Sequence, residues 1–143
     1  ALCPISAVFC FTVVSMGRGT DTPFEVYGHP AMEGRVFSFT PQPNAGSKNP
    51  PHNGKLCHGV DLRGVADEDI WRKGFNLEYV IDAYHDLDIG EKFFTPMFEK
   101  LVGVEYVRRM IIEGRSAEDI EKMWQKELEE YKSLRRKYLI YNE

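Results

Sequence analysis

Apolar and polar positions follow two different rhythms along this chain. Up to about residue 64 the apolar residues come in short runs punctuated by glycine and proline. Beyond it they recur at helical spacing among charged residues. The first rhythm predicts strands joined by tight turns, the second amphipathic helices. Four strands are expected. Phe9 to Ser15 (FCFTVVS) is aromatic and β-branched and closes at Gly17. Phe24 to Tyr27 lies between Pro23 and a Gly28-His29-Pro30 turn. Val36 to Thr40 alternates, with Val36, Ser38 and Thr40 on one side and Phe37 and Phe39 on the other. Leu56 to Leu62 places Leu56, His58, Val60 and Leu62 on one face. Residues 41–55 are a long loop of turn formers.

Helices follow. Phe75 to Leu87 ends at Asp88 and Gly90, Pro96 to Leu101 is short and broken by Gly103, and Val104 to Glu113 carries Gly114 as a C-cap. Ser116, with Asp119 three residues on, opens the last helix. Its stripe of Ile120, Met123, Trp124, Leu128, Tyr131, Leu134 and Tyr138 reads as core, with the charged face in solvent. The closing YLIY (138–141) is expected to return as a strand. These elements compose an α+β fold. A small, curved, half-barrel-like antiparallel sheet from the N-terminal half packs with three to four helices from the C-terminal half.

A length of 143 residues fits a single domain, 1–143, with a strand and loop part (1–64) and a mainly helical part (65–143). Eight of the 12 glycines and seven of the 8 prolines fall in the first part. Hydrophobic residues at 43% and charged residues at 28% exclude disorder, coiled coil and a disulfide miniprotein. A net charge of −4 argues against a nucleic-acid binder built on a basic face. The opening Ala1–Gly17 is uncharged but is interrupted by Pro4, Ser6, Thr12 and Ser15, and it falls short of a membrane span. It has neither an initiator Met nor a basic start, so it reads as a piece of something longer rather than a signal peptide. Cys3, Cys10 and Cys57 form no CxxC, and the histidines form no HxH or HxxxH, so neither zinc nor any other cofactor is expected.

The densest polar cluster is Gly17-Arg18-Gly19-Thr20-Asp21-Thr22-Pro23-Phe24. Two glycines let the backbone turn tightly while Arg18 projects a planar, bidentate donor suited to a carboxylate or phosphate. Thr20 and Asp21 add short hydrogen-bonding groups. Neither GxGxxG nor GK[ST] is present, so a dinucleotide or phosphate loop is excluded. The competing reading is a structural turn, with Arg18 paired to an internal acid. Asp21, Glu25, Glu33 and Asp61 are the acids near the glycine-rich loops, and none sits in a glycosidase signature. His52, on a rigid Asn49–Gly54 loop, is a candidate ligand contact. His58 neighbours Cys57 on a strand, so the two face opposite ways, one buried and one half-exposed.

Together these residues resemble the C-terminal part of the NamZ-type exo-β-N-acetylmuramidases. The resemblance is carried by GRGTDTPFEVYGHP (17–30), FSFTP (37–41), KNPPHNGKLCHGVDLR (48–63), GFNLEYVIDAY (74–84), KFF (92–94), SAEDIEKMWQ (116–125) and YKSLRRKYLIY (131–141). It covers the chain from Thr12 onward. Residues 1–11 depart from it, with Cys10-Phe11 where members carry a Glu-Gly pair.

The resemblance implies a bacterial, wall-degrading parent protein, outside the cytoplasm or in a wall-recycling route. In it an N-terminal Rossmann-like domain holds the catalytic glutamates, and the C-terminal domain that this chain resembles forms one wall of the cleft. The substrate it implies is a peptidoglycan-derived amino sugar or muropeptide. Arg18, Thr20, Asp21, His52 and His58 are the expected substrate-binding residues, and no catalytic residue is expected in this chain. Three readings compete: an auxiliary domain of the hydrolase, a stand-alone amino-sugar binding module, and a scaffold whose GRGT turn is purely structural.

Overall fold

The computed structural model describes residues 7–65 and 76–140. Three strands form an open antiparallel sheet: β1 (Val26–His29), β2 (Phe37–Phe39) and β3 (Cys57–Asp61), in the order β1-β3-β2. Among the described residues four helices follow: α1 (Glu78–Leu87), α2 (Phe98–Val102), α3 (Tyr106–Ile112) and α4 (Ala117–Arg135). The architecture is α+β, as expected. The Phe75 start expected for the first helix lies outside the described residues.

β1 and β3 approach unusually closely because glycine faces glycine, Gly28 opposite Gly59. A Cβ at Gly59 would stand 1.8 Å from the Tyr27 carbonyl oxygen. Alternation puts Tyr27 on the core side of β1, where its ring stacks on Phe9 at 4.5 Å and meets Tyr79 edge-on. Val26 and Cys57 are fully buried. Burial raises the Cys57 thiol to about 11. β2 shows the predicted alternation, with Val36, Ser38 and Thr40 exposed and Phe37 and Phe39 half-buried.

The core lies between the Tyr27 side of the sheet and the helices. Val80, Ala83, Phe93, Phe98, Val107 and Ile120 are among its fully buried members. Tyr84, Phe93, Phe94 and Phe98 form a chain of ring contacts, the tightest 4.6 Å between Phe94 and Phe98. Arg108 braces α3 against α2 through an ion pair to Glu99 at 2.6 Å, and its guanidinium lies over Phe94.

Three expectations are corrected. Phe9 to Ser15 is not a strand. Ala7–Phe11 is a 3-10 helix, closed by Thr12 donating to the Phe9 carbonyl through both its N–H and its hydroxyl. Val13 and Val14 then bend between two single bridges, Thr12↔Phe94 and Ser15↔Gly28. Phe9, Val14, Ser15 and Met16 are all buried, so the apolar run reports burial and not ladder pairing. Next, β1 starts at Val26 and runs through Gly28-His29, which were expected to turn; Phe24 has φ +68, outside the strand region. Finally, the last helix outruns the body of the domain. Ile120 is buried and Trp124 half-buried, but Met123, Leu128, Tyr131, Leu134 and Tyr138 are exposed, and Leu139 and Ile140 form no strand.

The start of α4 follows the sequence. Ser116 has extended backbone and its Oγ accepts the Asp119 N–H at 3.1 Å. Ser116→Ala is expected to cost ~1 kcal/mol, read as a lower urea midpoint at unchanged slope.

Candidate functional site

The GRGT segment leaves the buried Val14–Met16 stretch and turns back on itself. Phe24 N–H donates to the Met16 carbonyl at 2.8 Å, closing the loop at its neck. Inside it, the Gly17 carbonyl accepts both the N–H of Thr20, at 3.0 Å, and its hydroxyl, at 2.7 Å. Thr20 Oγ1 in turn accepts the Thr22 N–H at 3.1 Å. Gly17 and Gly19 have φ of +75 and +82, which side chains resist. Space forbids a side chain as well. A Cβ at Gly19 would lie 2.6 Å from the Gln42 carbonyl oxygen and 2.7 Å from Pro50, so the 41–55 loop packs directly beneath the turn. Gln42 N–H donates to the Gly19 carbonyl at 2.8 Å.

This packing leaves a solvent-open hollow of about 440 Å³. One side is Arg18, Gly19, Thr20, Pro23 and Phe24, and the other is the Asn44–Ser47 tight turn. Arg18 is exposed. Its guanidinium lies over the Phe24 ring, 5.2 Å from the centroid. Among the described residues no carboxylate pairs with it, and none lines the hollow. The arrangement offers a fixed cation, an aromatic edge and a threonine, the equipment for holding an anionic, ring-shaped ligand. Among the described residues it offers no acid to protonate a leaving group.

The other candidate residues lie as follows. Thr20 lines the same hollow. Asp21 is exposed beside it and does not line it. His52 does not line it; its Nε2 lies 2.8 Å from the Val13 carbonyl oxygen, so that nitrogen carries the proton. Its ring meets His29 edge-on at 4.5 Å. His58 is half-exposed on β3, opposite His29 on one side and Ser38 on the other. Three of the four histidines, His29, His52 and His58, therefore gather at the end of the sheet, and none of them lines the hollow. Cys57 is buried and His58 half-exposed, as their adjacency requires. Asp61 is held by Arg63 through two side-chain hydrogen bonds, which pull its carboxyl below the usual range. Among the described residues no group of three metal-ligating side chains forms, and no helix is long and apolar enough to cross a membrane.

Sequence reasoning missed Phe24 as the rest for Arg18, and Asn44–Ser47 as the facing wall. The Pro23-Phe24 pair behind the turn was the available signal, but its left-handed backbone carries no signature in residue type.

His29 has a pH signature. Burial chiefly, then His52 and Lys55, lowers its affinity for a proton below the ordinary value near 6.5. The unfolded chain therefore takes up this proton first as the pH falls. The stabilisation is complete above about pH 6.5 and is lost as the pH drops toward the folded value. A urea midpoint that falls between pH 7.5 and 5.5 is expected. His29→Asn, whose Oδ1 can still accept the Ala31 N–H that Nδ1 accepts at 3.0 Å, should flatten that fall. An identical slope in both proteins would remove His29 from the account.

Comparison with known proteins places these features in context. The family model described as "Exo-beta-N-acetylmuramidase NamZ, C-terminal" matches residues 2–141. The opening residues, set apart in the sequence reading, thus lie within the match. The peptidoglycan β-N-acetylmuramidase NamZ of Bacillus subtilis is 35% identical over 96% of this chain, which spans 36% of that protein. A crystal structure of a DUF1343 family protein from Bacteroides fragilis superposes with a TM-score of 0.96 at 52% identity. It covers 99% of this chain and 40% of its own.

Proposed function

The chain belongs to the family of C-terminal domains of the exo-β-N-acetylmuramidase NamZ, and on that premise we propose that it supplies one wall of a cleft for a terminal N-acetylmuramic acid of peptidoglycan. It works as one folding unit, whose strand and loop part presents the site. Arg18 receives the lactyl carboxylate that distinguishes muramic acid from N-acetylglucosamine, with Phe24 fixing the guanidinium and Thr20 beside it. Asp21, His52 and His58 contact more distant parts of the sugar or peptide. The acids that cleave the glycosidic bond come from a separate Rossmann-like domain of a longer protein, which acts on the cell wall outside the cytoplasm.

One observation carries the reading: an exposed arginine, laid on an aromatic ring at the lip of a hollow that no carboxylate lines among the described residues. A turn with a purely structural role would have drawn that guanidinium onto an internal acid. Incubating this chain with a chromogenic N-acetylmuramic acid glycoside tests the division of labour. Binding without hydrolysis is expected from the chain alone, and hydrolysis once the rest of a family polypeptide is supplied. Hydrolysis by the chain alone would overturn the assignment of the acids. Binding with no hydrolysis in either case would favour a stand-alone binding module.

A further inference from the structure

We infer that the exposed apolar stripe on the outer half of α4 is the surface that docks this domain onto the remainder of the longer polypeptides of its family. The inference rests on the reading above, in which another part of such a polypeptide completes the cleft. α4 is 19 residues, about 28 Å long, yet it buries only Ala117 and Ile120. From Gln125 to Ile140 every residue is exposed. Leu128, Tyr131, Leu134 and Tyr138 recur there at helical spacing, with Tyr131 60% and Tyr138 77% exposed. Scattered surface apolar residues need no explanation, but a continuous stripe marks a contact. A helix half that buries none of its residues is also marginal by itself in water.

The comparisons point to the occupant. This chain spans only 36% and 40% of its two relatives, so most of each polypeptide lies outside the domain. The superposition on the Bacteroides fragilis protein takes in 99% of this chain with a TM-score of 0.96, so the projecting arm keeps its course within that longer chain. The far end of the arm is basic, with Lys132, Arg135, Arg136 and Lys137. The complementary surface is therefore an apolar groove with an acidic rim.

The test compares α4 in two settings: the 143-residue chain by itself, and a fusion in which this chain replaces the matching segment of the Bacteroides fragilis protein. In the fusion the α4 amides beyond Trp124 should exchange about 100-fold more slowly than in the chain alone. Tyr131→Asp combined with Leu134→Asp should abolish that protection while leaving the Tm of the isolated chain unchanged. The natural Bacillus subtilis protein gives the same comparison over its matching helix, with no graft to fold.

Equal exchange in both settings overturns the inference. So does sedimentation showing that the isolated chain is a dimer broken by Tyr131→Asp, since a second copy would then be the occupant. Hydrolysis of the muramic acid glycoside is scored separately. Hydrolysis with an unprotected stripe refutes this inference and leaves the cleft reading standing. A protected stripe without hydrolysis does the reverse.

Discussion

Arg18→Ala is expected to weaken binding of an N-acetylmuramic acid ligand about 10- to 100-fold, corresponding to the ~1.5–3 kcal/mol typical of hydrogen bonds to a charged group. Binding of N-acetylglucosamine, which lacks the lactyl carboxylate, should change little. The fold should not change, because Arg18 is exposed and forms no ion pair among the described residues. Arg18→Lys should fall between the two. An ammonium keeps the charge but loses the planar fork and the favourable stacking on Phe24. Titration calorimetry with both sugars, at two salt concentrations, reads all three. Equal losses for the two sugars would show that Arg18 does not read the lactyl group.

Gly59→Ala should damage the fold more than other glycine substitutions. Its new Cβ would stand 1.8 Å from the Tyr27 carbonyl oxygen and 2.6 Å from the Gly28 Cα, both main-chain atoms that cannot swing aside. β1 and β3 would have to part, taking the Tyr27–Phe9 stack with them. Overpacking of this severity costs on the order of 3 kcal/mol or more, and a fall in Tm of about 10 °C is expected. Gly34→Ala is the control, since nothing lies within 4 Å of its Cβ position. Calorimetry that finds the two variants alike would mean that the sheet is not assembled as described.

The helical half and the last two strands were legible in the sequence because local chemistry decides them. Ser116 and Asp119 cap α4, Gly103 and Gly114 end helices with positive φ, and Val36–Thr40 alternates as a half-buried strand must. Phe9 to Ser15 was misread because aromatic and β-branched residues suit any buried segment, a 3-10 turn or a bend as well as a strand. Whether a ladder forms depends on distant partners, here Gly28 and Phe94. The apolar stripe of α4 was equally undecidable, since periodicity shows that a face wants covering but not what covers it. For the candidate site, the GRGT turn stood out through its glycines. Its facing wall, Asn44–Ser47, is brought to it by the packing of Gly19 on Pro50 and could not be read from order along the chain.

The burial of Cys57 makes it a clock for unfolding. A thiol with no exposed surface in the strand that holds the sheet together, raised to about 11, presents almost no thiolate to a disulfide reagent at neutral pH. Cys10, exposed beside Met16, should be labelled promptly. The slow phase of the thiol reaction would then measure how often β3 comes free, with no substitution made in the molecule.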